Sequence, residues 1–96
     1  MAAYVVVDVE VHDPERYREY TSQVPDTLTP FGGKFLVRGG KVEAMEGSWQ
    51  PQRAVILEFP SVEQARAWYS SPTYQAILPI RQRNAKTNFL AIVEGV

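Results

Sequence analysis

Val5, Val7, Val9 and Val11 alternate strictly with Tyr4, Val6, Asp8 and Glu10, and one residue past Val11–His12 the run Asp13-Pro14-Glu15 opens a helix. The period of two makes Ala3 to Val11 a strand with two distinct faces. The helix start follows from an aspartate cap, a proline at the first helical position and an acid in the first turn. A strand passing at once into a helix is the beginning of a layered α+β arrangement, and the rest of the chain has to complete both layers.

Along the helix Tyr17, Tyr20, Val24, Leu28 and Phe31 recur at spacings of three and four, and Pro25 must kink or split it before Gly32-Gly33 ends it. Lys34 to Arg38 reads as a second strand, Gly39-Gly40 as a turn or bulge, and Lys41 to Met45 as its continuation or a hairpin partner, followed by a loop from Glu46 to Gln52. Arg53 to Phe59 is a nearly continuous apolar run of strand length, expected at the centre of the sheet. Ser61 and Gln64 have capping-box spacing, which starts a helix running to about Ser70. Ser71-Pro72 breaks it, and a further helix to about Arg83 can bury Tyr74, Ile77 and Leu78 before Lys86 to Glu94 closes as a strand.

The order β-α-β-(β)-β-α-α-β predicts an antiparallel sheet with helices on one face, the split βαβ arrangement of ferredoxin-like domains, filling residues 1–96 as one domain. A chain of this length buries only about 60 to 65% of its unfolded surface, so a partner surface helps it. Tyr4, Val6 and Asp8 face away from the helices, and an apolar face with isolated polar groups suits a partner sheet. Charged residues are 22% of the chain with a net charge of −1 and no basic run, which argues against disorder and against nucleic acid as a partner. Cysteine is absent, so disulfides and thiolate chemistry are excluded. No secretory pattern opens the chain and no apolar run approaches a membrane span, so the expectation is a cytoplasmic protein without a membrane partner.

Several pieces resemble one known family: Asp13-Pro14-Glu15 with Tyr17 and Tyr20, the run Gly32 to Gly40, Glu46-Gly47 before Trp49, Arg53 leading into Glu58-Phe59, and Trp68-Tyr69 through Ser71-Pro72 and Tyr74 to Arg81. Their order and spacing over nearly the whole chain are similar to the domain of unknown function 1330 family of the dimeric α/β-barrel superfamily. The resemblance implies a ferredoxin-like protomer whose sheet packs on that of a second copy, with a small-molecule-sized cavity on the sheet side. It implies no particular activity. More distant members of the superfamily include cofactor-free oxygenases, haem-degrading oxygenases and lactone isomerases, and no motif here selects among them.

The candidate chemistry lies in Arg38, Arg53, Glu58, Tyr69, Tyr74 and Arg81, because guanidinium forks and phenols together can grip a carboxylate, enolate or phenolate. Arg38, Arg53 and Arg81 are the expected anion clamps, Tyr69 and Tyr74 orienting donors, Ser71 an additional hydroxyl and Glu58 a general base. The competing reading pairs Glu58 with an arginine as a tie between strand and helix, in a dimer without catalysis. Asp8, Glu10 and His12 alternate and present a conceivable metal or haem site, but His12 lies at the strand end and reads as a rim or capping residue. The Gly-Gly-Lys pairs at 32–34 and 39–41 lead into strands, so they read as turns rather than phosphate loops. Trp49 and Trp68 read as core or interface. The expectation is a homodimer with a small-molecule ligand and no cofactor or metal.

Overall fold

The structure, a computed structural model, describes residues Met1–Val96. Strand β1 (Ala3–Val11) leads into α1 (Pro14–Thr21), α2 (Val24–Leu28) and a 3₁₀ turn (Thr29–Phe31). Then come β2 (Lys34–Gly40), β3 (Arg53–Phe59), α3 (Val62–Ser70), α4 (Pro72–Asn84) and β4 (Ala85–Glu94). The strands form one antiparallel sheet in the order β2-β3-β1-β4, the ferredoxin-like arrangement. Overall extents of 34 × 33 × 16 Å correspond to one sheet and one layer of helices; on the second face Trp49 donates to Asp8 at 2.9 Å and stacks on Phe89, and the rest of that face carries no second layer. No helix is long and apolar enough to cross a membrane.

The helices begin where capping chemistry starts them. Asp13, Ser61 and Ser71 each accept a hydrogen bond from the backbone N–H three residues on, at 3.1–3.2 Å. Pro25 splits the first helical region as its missing N–H requires, and it occupies the first turn of α2. Gly32 ends the 3₁₀ turn in the left-handed region at φ 70°. Gly33 lets the chain pass over Phe59, since a Cβ there would lie 2.6 Å from the ring.

Lys41 to Met45 is a correction to the sequence reading, because strand pairing stops at Gly40 and Lys41–Gln52 has no regular structure. Gly39 at φ 78° is a bulge between Arg38 and Gly40, and Gly40 already stands opposite Ala54, one residue from the start of β3, so the chain beyond it runs past the end of its partner strand.

Register sets the two faces. Val5, Val7 and Val9 stand opposite Leu57, Val55 and Arg53, so this side faces the helices. The core joins Val5, Val7, Val9, Leu57 and Phe59 to Leu28, Trp68, Tyr74 and Ile77. Trp68 is almost wholly buried and its indole N–H donates to Thr27 Oγ1 at 3.0 Å. The opposite face carries Tyr4, Val6, Ile56, Ala91 and Val93.

Candidate functional site: an arginine-lined pocket between helices and sheet

Arg53 begins β3 opposite Val9, and Arg38 on β2 stands opposite Val55, so both side chains start from the helix-facing side of the sheet. Arg81 arrives from above, in the last turns of α4, and is only 4% exposed. A register slip in β4 makes a place for it: Asp8 pairs with Phe89 but Val9 with Thr87. Thr87 then accepts a hydrogen bond from Arg81 Nη1 at 2.6 Å. The bulged residue Asn88 faces the other way, and its amide donates to Asp8 and Glu10 on the open face.

The amphipathic face of α1 supplies Tyr17 and Tyr20 as a wall opposite the sheet. Tyr20 Oη lies 2.7 Å from Tyr74 Oη, and its ring lies beside the Arg81 guanidinium, 6.0 Å from ring centroid to Cζ. Arg38 stacks over Phe35 at 4.4 Å and donates to the Thr21 carbonyl at 3.4 Å, which ties the edge strand to the end of α1. These residues enclose a chamber of ≈30 Å³ whose remaining walls are apolar, among them Val7, Val55, Leu57, Trp68 and Leu90. One water needs roughly 10–15 Å³ on this scale, so the chamber holds a group of a few heavy atoms. Tyr17, Thr21 and Arg53 also border an adjoining open cleft of ≈370 Å³, the mouth, which is otherwise lined by Val11, Pro14, Arg18, Gly39 and Gln52.

The electrostatics of this space are one-sided. Four arginines, Arg18, Arg38, Arg53 and Arg81, line the chamber and its mouth, and no aspartate, glutamate or histidine does. The chain's two ion pairs, Arg16–Asp13 and Lys34–Glu58, lie elsewhere. The Nε atoms of Arg53 and Arg81 are buried without a hydrogen-bond partner. Burial raises the pKa of Tyr17, Tyr20 and Tyr74; the neighbouring arginines pull against it, but the net shift stays upward. At neutral pH the three phenols are therefore uncharged and can donate a hydrogen bond.

Of the residues singled out in the sequence, the fold brings Arg38, Arg53 and Arg81 together, with Tyr74 behind Tyr20. Glu58 is not among them. It faces the open side of the sheet opposite Tyr4 and pairs with Lys34 at 3.2 Å, because residues of β3 alternate and Arg53, Val55 and Leu57 take the helix side. Ser71 is the buried cap of α4, its hydroxyl accepting from Tyr74 N and donating to Trp68 O. Tyr69 is partly exposed at the rim between α3 and β4, beside Arg66, Leu90 and Ile92, with its ring 5.7 Å from that of Tyr74 but outside the chamber lining. Tyr17, Tyr20 and Arg18 were not expected at the site. The available signal was two phenols, rather than aliphatic residues, on a helix face that must meet Arg53. The resemblance implies a cavity on the open side of the sheet, whereas the enclosed space of the chain itself lies on the helix side.

An antiparallel sheet in this order, with an arginine-lined pocket under its helices, defines a ferredoxin-like α+β protein. A family model described as "Domain of unknown function (DUF1330)" matches residues 2–96, and the chain belongs to that family. No curated protein matches it. Among solved structures, it resembles a dimeric ferredoxin-like protein of unknown function from Jannaschia sp. CCS1, with 15% identity, a TM-score of 0.71 and coverage of 99% of this chain and 100% of that one. The RPA0582 protein of unknown function from Rhodopseudomonas palustris is similar at 18% identity and TM-score 0.70, covering 99% and 82%. SnoaB, a cofactor-independent oxygenase from Streptomyces nogalater, is similar at 10% identity and TM-score 0.66, covering 99% and 93%. At these identities the likeness is one of fold.

Proposed function

We propose that the protein is a cytoplasmic homodimer that binds a small organic anion, aliphatic or aromatic, in the pocket between α1, α4 and the sheet, without a cofactor. The observation that carries this reading is the pair of guanidinium groups whose Nε atoms are buried and unpartnered in a space with no carboxylate. An unpaired buried charge is costly, and an anionic ligand would supply both the countercharge and the missing hydrogen-bond acceptor. The surrounding neutral phenols suit a reaction in which negative charge builds on the ligand, as in an enolate or phenolate. With no carboxylate or imidazole on the walls, a proton lost by the ligand would pass to solvent.

The homodimer reading rests on the open face of the sheet. Phe89 and Val93 are 42% and 50% exposed there, beside Val6, Ile56 and Ala91. A contiguous apolar face of this kind is covered in most folds. The Jannaschia relative is described as dimeric, in keeping with a second copy of the chain as the cover.

A thermal-shift screen of the purified protein against small aliphatic and aromatic carboxylates tests the ligand reading, since a ligand of the folded state raises Tm by mass action. A saturable rise that disappears in Arg81→Met supports it. A screen with no rise, or one that Arg81→Met leaves intact, contradicts it.

A further inference from the structure

The charge around the pocket exceeds what one carboxylate can balance. Arg38 and Arg81 border the chamber, Arg18 borders the mouth, and Arg53 borders both, with Arg38 held to the Thr21 carbonyl. All four guanidiniums stay protonated at any ordinary pH. Neither ion pair of the chain involves any of them, and a cleft walled by one sign of charge concentrates its field on what enters. The sizes divide the two spaces as well. The chamber of ≈30 Å³ admits a group of carboxylate size and no more, whereas the mouth of ≈370 Å³ admits the body of a metabolite.

We propose that the ligand carries two separate anionic groups. One fills the chamber on Arg81 and Arg53, and the second lies at the mouth on Arg18, with Arg53 bordering both spaces. This rests on the anion-binding reading above and narrows it to small dicarboxylates. The wall of Tyr17 between the two spaces would lie along the body that joins the two groups.

Titration calorimetry at fixed ionic strength, with matched pairs of probes, separates the possibilities. Isophthalate is compared with benzoate and glutarate with butyrate, on the wild-type protein, on Arg18→Gln and on Arg81→Met. A second charge-assisted contact is expected to make each dicarboxylate about tenfold tighter than its partner. Arg18→Gln, a change at an exposed helix position, is expected to remove most of that ratio. Phenyl phosphate, with both charges on one bulky group, is expected to bind no tighter than benzoate. Dicarboxylates and monocarboxylates of equal affinity, both lost in Arg81→Met, would overturn the two-group ligand and leave the anion site standing. Phenyl phosphate matching isophthalate would overturn it too, by showing that charge alone is read. No heat from any probe would overturn both readings.

Discussion

Arg81 is held by one good hydrogen bond, to Thr87, and stands over the Tyr20 ring, while its Nε is buried without a hydrogen-bond partner. A residue in this state is an expense to the empty protein, so removing its charge should help the fold. Arg81→Met keeps much of the side-chain volume, and we expect it to stabilise the ligand-free chain by about 1 kcal/mol. For a domain of this size that is a rise in Tm of roughly 4–8 °C, read by calorimetry in buffer without organic anions. A marked fall would mean that the guanidinium serves the fold. The phenols set a second expectation. Tyr17, Tyr20 and Tyr74 have pKa values raised above 10.0 in the folded chain, chiefly by burial. Their contribution to stability is complete below pH 10, and above it the unfolded chain releases protons that the folded chain keeps. Stability should therefore fall as pH rises past about 10, and phenolate absorbance from these three residues should appear with unfolding rather than before it. Spectrophotometric titration alongside circular dichroism would show this.

At the scale of elements, the site depends on the bulge near the end of β2. Gly39, at φ 78°, is the bulged residue beside Arg53, and a Cβ at that position would lie 2.6 Å from Arg53 Nη1. Gly39→Ala should cost about 1 kcal/mol from backbone strain and weaken benzoate binding several-fold by displacing the guanidinium, which paired melting and binding curves would resolve. The elements themselves were legible in the residues: alternation marked β1, and the caps Asp13, Ser61 and Ser71 marked three helix starts. Lys41–Met45 reads as strand because strand propensity says nothing about where the partner strand begins. The site was half legible. Arg38, Arg53 and Arg81 stood out as cations in apolar surroundings, but Glu58 belongs to the opposite face, a distinction of strand parity that depends on which face the helices cover. Tyr17 and Tyr20 read as core because helical periodicity records burial and not what the buried hydroxyls meet.

In the whole molecule the sheet separates two surfaces with different tasks, a charged pocket under the helices and an apolar face on the other side. The slip at Asn88 links them physically, since Thr87 holds Arg81 on one side while Asn88 holds Asp8 on the other. A second copy on the open face would cover Val6, Ile56 and Val93, and a charge placed among them should prevent assembly. If the proposed homodimer forms through this face, wild-type protein has twice the chain mass in light scattering and Ile56→Asp halves it with circular dichroism retained; a wild-type monomer, or a dimer that Ile56→Asp leaves intact, would overturn that assembly. Whether an organic anion completes the arginine pocket is seen in a crystal structure with 4-bromobenzoate, located by the anomalous signal of bromine. The carboxylate is expected within hydrogen-bonding distance of Arg53 and Arg81, with bromine directed toward the mouth at Arg18 and Gln52. Bromine found only on the open face of the sheet, with the chamber holding nothing but water, would contradict the anion reading.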